Sequence, residues 1–189
     1  MLQLTRYHRP LAIITVLMVH GLTVVAGPRD HEVPISISYG VASNTLATTL
    51  DASGGFGISL GYRYLLNRNF AIGLTGVVER ASITKPSGNV LSLYHMLATI
   101  RYRPLKHGWS PYVQVEGGLV LPDADATSDA LRAAMADVGS SVLSYGARLG
   151  ATFPVSARVD VDVHARLGLT ATENPLTMLG LHAGIVLRQ

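Results

Sequence analysis

Alternation of apolar and polar residues in eight stretches predicts an all-β protein: an eight-stranded antiparallel up-and-down transmembrane β-barrel. Three observations carry the prediction. The charge of the strands falls on one face, the links between strands alternate longer and shorter, and aromatic residues gather on the apolar face toward strand ends. Ala157 to Leu169 states the first most plainly. Val159, Val161, Val163, Ala165, Leu167 and Leu169 share one parity, and Arg158, Asp160, Asp162, His164, Arg166 and Gly168 the other. Strand side chains alternate between faces with period two, so one face is apolar and the other densely charged.

Length and composition bound the alternatives. A chain of 189 residues suffices for one domain with a sizeable core. The absence of cysteine excludes a disulfide framework, a thiolate metal site and a cysteine nucleophile. Apolar residues reach 48% while charged residues are only 14%, yet beyond the N-terminus no apolar run is long enough for a membrane helix. With Arg6 and Arg9 set aside, basic and acidic residues nearly balance, which gives no reason to expect a nucleic-acid partner.

Residues 1–27 have the layout of a cleaved signal peptide. Arg6, His8 and Arg9 precede a mainly apolar run from Leu11 to Val25, and Val24-Val25-Ala26 supplies a small-residue ending. The alternative is an uncleaved N-terminal anchor; both imply export. Residues 28–189 form the barrel domain.

The strands follow in order. Val33, Ile35, Ile37, Tyr39 and Val41 oppose Ser36, Ser38 and Gly40. Phe56, Ile58, Leu60, Tyr62 and Tyr64 oppose Gly57, Ser59, Gly61 and Arg63. Phe70, Ile72, Leu74 and Val78 oppose Ala71, Gly73, Thr75 and Glu79. Tyr94, Met96, Ala98, Ile100 and Tyr102 oppose His95, Leu97, Thr99, Arg101 and Arg103. Val113, Val115, Leu119 and Leu121 oppose Gln114, Glu116 and Gly118. Leu143, Tyr145, Ala147, Leu149, Ala151 and Phe153 oppose Ser144, Gly146, Arg148, Gly150 and Thr152. The stretch described above comes seventh. Leu179, Leu181, Ala183, Ile185 and Leu187 then oppose Gly180, His182, Gly184 and Arg188. Each stretch approaches the ~9–11 residues that cross a bilayer at a tilt.

Links 66–69, 104–110 and 154–156 are short and rich in turn formers, whereas 42–55, 83–90, 122–141 and 170–178 are longer. Short turns on one side and longer loops on the other define a barrel with periplasmic turns and periplasmic termini. Within 122–141, Thr127 or Ser128 can cap a short helix running to Asp137, with Gly139 as terminator. That helix is expected to pack on the barrel rim; the alternative is a lid.

The polar face of the strands is expected to line the lumen. A soluble barrel would put these charges outside, but the strands contain no Lys, and Arg dominates. The guanidinium fork suits fixed internal pairing, and glycines on the same face leave room for long side chains in a narrow interior. The expected lumenal charge network is Arg63, Glu79, His95, Arg101, Arg103, Glu116, Arg148, Arg158, Asp160, Asp162, His164, Arg166 and His182. Tyr39, Tyr62, Tyr64, Tyr94, Tyr102, Tyr145 and Phe153 lie on the lipid face as interfacial girdles.

Against that background GYRYLLNRNFAIGLTG resembles the strand, short turn, strand hairpin of small outer-membrane barrels. PYVQVEGGLVL, GARLGATFPVSARVDVDVHARL and LGLHAGIVL do so too. The chain is thereby similar to the OmpA-type and OmpX/OmpW-like porin superfamily over about residues 33–189. The resemblance implies a protein of the Gram-negative cell outer membrane. It also implies contact with outer-membrane lipid or lipopolysaccharide, and handling by the barrel-assembly machinery. Members typically end in an aromatic residue; this chain ends Leu187-Arg188-Gln189.

Asp160, Asp162 and His164, with Arg158 and Arg166, could suggest a metal or acid/base site, since alternate strand positions are about 7 Å apart. A lumenal salt-bridge ladder with Arg148 and Arg101 explains every member, because unpaired charges there would be costly. His95 and His182 are read as polar wall residues. No strand carries a nucleophile beside a base, and Gly54-Gly55 lacks the Lys and helix of a phosphate loop. The sequence therefore predicts no enzyme, no cofactor and no metal site. It predicts a monomer with a mainly structural or surface role. The alternatives are a narrow porin-like channel or small-ligand conduit, and a surface adhesin acting through 42–55 and 122–141.

Overall fold

The computed structural model describes residues 31–43, 52–83, 89–104, 108–125, 141–171 and 176–189. The signal peptide expected at 1–27 and the loop helix expected up to Asp137 lie outside them. Eight strands follow one another: β1 (His31–Ser43), β2 (Ala52–Leu65), β3 (Phe70–Ile83), β4 (Asn89–Tyr102), β5 (Ser110–Asp125), β6 (Val142–Pro154), β7 (Val159–Thr170) and β8 (Thr177–Arg188). Each pairs antiparallel with its sequence neighbours, and β1 also pairs with β8, so the sheet closes into an up-and-down barrel without edges. At the seam, Val33 faces Leu187 and Val41 faces Leu179.

The alternation read from sequence sets which face is which. The outward set stands exposed along every strand: Ile37, Phe56, Leu74, Ile100, Val115, Leu149, Val163 and Leu181 among them, with Phe56 at 72% and Leu181 at 69%. The inward set holds most of the buried charge. A soluble barrel buries the first set and exposes the second, and here the arrangement is inverted. An apolar girdle that encircles the whole molecule exceeds any patch a soluble monomer exposes, and lipid is the solvent it suits.

Short links at one rim are held by local hydrogen bonds. Asn67 Oδ1 accepts from the backbone N–H groups of Asn69 (2.8 Å) and Phe70 (2.9 Å), the self-closing turn typical of Asn. Val155 and Ser156 both donate to the carbonyl of Val159 at 3.0 Å. Gly108, at φ 72°, takes a left-handed conformation that a side chain would strain.

Several strands run past the ends that alternation marked. β4 begins at Asn89 instead of Tyr94, and β5 at Ser110 instead of Val113. The added residues continue the pairing, but Leu91 and Leu93 point inward, so the polar–apolar contrast fades while the ladder persists. β7 starts two residues later than expected, because Ala157 and Arg158 belong to the turn.

Candidate functional site

The lumen is built in levels from the rim of the short links upward. Nearest that rim, Glu32 of β1 lies 3.4 Å from Arg63, 3.4 Å from Arg103 and 3.9 Å from Arg101. Beside it, Arg188 donates to Asp160. One level deeper, Asp162 accepts from Tyr112 Oη at 2.7 Å and lies 3.7 Å from Arg101 and 3.1 Å from His164 Nδ1. The Arg101 guanidinium carbon sits 3.5 Å from the centre of the Tyr112 ring, a cation–π contact away from water.

His164 links this level to the next. Arg148 Nη1, which can only donate, lies 3.4 Å from His164 Nε2, so Nε2 accepts and Nδ1 carries the proton toward Asp162. The His164 ring stacks on His182 at 4.5 Å between centroids. Arg148 and Arg166 are direct cross-strand partners on β6 and β7, a like-charge pair that is unfavourable on its own. Glu116 of β5 resolves it. One carboxylate oxygen accepts from Arg148 Nε at 2.6 Å, and the other accepts from Arg166 Nε. Arg166 also donates to Glu79 at 3.0 Å, and Glu79 lies 3.2 Å from His95 Nε2.

Glu32, Arg101, Asp162, His164, Arg148, Glu116, Arg166, Glu79 and His95 thus form one continuous chain of polar contacts. It crosses β1, β3, β4, β5, β6 and β7, with β2 attached through Arg63. Neighbouring backbone makes room for it. A Cβ on Gly73 would lie 2.9 Å from Arg63 Cγ, and one on Gly150 would lie 2.9 Å from Tyr112 Cζ. Toward the rim of the long links the interior turns apolar, where Val77, Leu91, Leu93, Val120, Val142 and Met178 are buried.

Of the expected lumenal residues, all but one lie in the interior network or against it. Arg158 is the exception: it is exposed in the turn before β7, where the strand's alternation has not begun. Of the ladder expected between Asp160, Asp162 and His164 and the arginines Arg101 and Arg148, Asp162 lies beside Arg101 and His164 beside Arg148, whereas Asp160 pairs with Arg188. Sequence reasoning missed Glu32, Tyr112 and Arg188 as site members, as well as the apolar upper lumen. Glu32 shares parity with Ser36 and Ser38, and Tyr112 with Gln114 and Glu116, so extending each strand by one residue would have found both. Among the described residues, no group of three or more His, Asp or Glu has the geometry to hold a metal ion.

A closed eight-stranded barrel with apolar exterior and ion-paired interior has the fold of the small outer-membrane barrels. Among solved structures, the chain is similar to Neisserial surface protein A, with a TM-score of 0.65 and 18% identity over 84% of this chain and 97% of that one. It is also similar to OprG from Pseudomonas aeruginosa (TM-score 0.53, 10% identity, 86% and 96% covered). The third is Ail, the attachment invasion locus protein of Yersinia pestis (TM-score 0.51, 13% identity, 85% and 99% covered). No protein-family model matches the sequence, and no curated protein does either.

Proposed function

We propose that this chain is a monomeric outer-membrane barrel, exported through a cleaved signal peptide, with a lumen closed to solutes. Its role is structural or at the cell surface, not catalytic or conducting. The observation that carries the closed reading is the filled interior. Arg63, Arg148, Tyr112, Leu97, His95, His182 and Gln114 each have at most 1–2% exposure. An eight-stranded barrel is only wide enough for side chains, so inward residues of this size leave no path for a solute. Asp162, His164 and Arg166, candidates for an acid/base site by their residue types, are each held in pairing contacts, which supports a structural use. The encircling apolar girdle supports the membrane location.

Location is tested by fractionating the envelope and running the extracted barrel on a gel before and after heating. Outer-membrane recovery and a heat-dependent shift in migration are expected; recovery as a soluble periplasmic species would overturn the reading. Closure is tested in a planar bilayer, where the purified barrel is expected to stay silent. Steady unitary openings would replace it with the narrow-channel alternative.

A further inference from the structure

The rim of the short links has a composition of its own. Leu66, 54% exposed, precedes exposed Arg68 and Phe70; Val155, 68% exposed, precedes exposed Arg158. Trp109, 57% exposed, closes the third link, which begins at Arg103. No Asp or Glu occurs in any of the three links. The nearest acids, Glu32 and Asp160, are buried and already engaged by Arg63, Arg103 and Arg188. Arg68 and Arg158 have no side-chain partner among the described residues. The other rim has the opposite balance: in sequence its links carry Asp51, Asp129, Asp137 and Glu173 against Lys85 and Arg132, and the strand ends add Asp123 and Asp125 of β5 against Arg80 of β3.

Large apolar side chains at a barrel rim settle at the boundary between headgroups and acyl chains. A cation two or three residues away then lies level with lipid phosphates, and a guanidinium binds phosphate through two parallel N–H donors. We propose that the short-link rim is a contact surface for anionic phospholipid, with Arg68 and Arg158 engaging headgroup phosphates. The proposal rests on the membrane-barrel reading. It adds a partner for one rim: the end of the barrel where β1 begins and β8 finishes contacts anionic phospholipid. Net headgroup charge is what selects it, since zwitterionic lipid offers the same phosphate beside a compensating cation.

Trp109 is the sole tryptophan and stands between the two cationic links. On one side, the Asn69 side chain donates to the carbonyls of Arg103 (2.8 Å) and Pro104 (3.4 Å), tying the Arg68 link to its own. On the other, neighbouring Ser110 pairs with Thr152 of β6. The full chain is folded into phosphatidylcholine vesicles that contain the same minor fraction of either brominated phosphatidylglycerol or brominated phosphatidylcholine. The brominated anionic lipid is expected to quench Trp109 more, by roughly two- to five-fold in local enrichment. That excess should vanish in the R68Q/R158Q double variant and shrink at high salt. Equal quenching by the two lipids, or an excess unaffected by the double substitution, overturns the proposal. A heat-shift gel on the same vesicles reads the barrel separately. A folded band with equal quenching rejects the lipid contact alone, whereas no folded band in any vesicle rejects the membrane-barrel reading and the proposal with it.

Discussion

Glu116 is the residue on which the lumenal network turns. Arg148 and Arg166 stand side by side across β6 and β7, and both are almost fully buried. Only the carboxylate between them makes that tolerable. Glu116→Gln keeps the shape but removes the charge, which leaves one guanidinium without compensation. Removing one partner of a buried ion pair costs about 3–5 kcal/mol, and a loss of that size is expected from urea unfolding in lipid vesicles. Arg158→Gln, a change in an exposed turn, should stay within about 0.5 kcal/mol of the parent. Had Arg158 belonged to the lumen, as its parity with Asp160 suggested, the two variants would behave alike. Parity identifies a face only where the strand is already paired, and Arg158 precedes the first ladder partner of β7. Tyr112 shows the opposite lapse. Its inward position was legible from Gln114 and Glu116, but nothing in the sequence could say that its ring would lie under Arg101. That contact joins β4 to β5 through side-chain geometry, which spacing along one strand does not encode.

Strands are the scale at which the sequence was most informative. All eight were recoverable from period-two alternation, because a lipid-facing position must be apolar and a narrow lumen requires polar groups to pair. Strand ends were less legible. In β4 the run Val90 to Leu93 is apolar on both faces except for Ser92, so alternation vanishes where the lumen itself becomes apolar. The lipid face of β7 offers a direct test of the inverted arrangement. Ala165 is exposed at the middle of the strand, directly opposite Leu149 and Leu181 on the neighbouring strands. Ala165→Arg should therefore cost about 2–4 kcal/mol in a bilayer, whereas Val159→Arg, at the strand's rim, should cost about 0–1 kcal/mol. The measurement is again vesicle unfolding of each variant. If this exposed face met water instead of lipid, an Arg at Ala165 would be harmless and the depth profile would vanish. Equal costs at the two positions would count against a lipid-facing β7.

At the scale of the whole molecule, closure and filling act together. At the seam Gln189 donates its backbone N–H to the carbonyl of His31 at 3.0 Å, and on the other side of β8 Arg188 donates to that of Arg158 at 2.8 Å. The Arg188 side chain meanwhile engages Asp160. A ring without edges fixes the lumen's width, and the inward side chains then decide whether anything passes. If filling alone closes the barrel, emptying it in a charge-balanced way should open it. Arg101, Asp162, Arg148 and Glu116 provide two cations and two anions from β4, β5, β6 and β7. Replacing all four with Ser removes the middle of the plug without changing the formal charge. It leaves Arg166 with Glu79, and Glu32 with Arg63 and Arg103. The quadruple variant is expected to be less stable but still heat-shifted on a gel, because the backbone ladder around the ring does not depend on those side chains. In a planar bilayer it should pass small ions while the parent stays silent. A folded variant that remains silent would show that the apolar upper lumen, around Val77, Val120, Val142 and Met178, closes the barrel without help from the ion pairs below it.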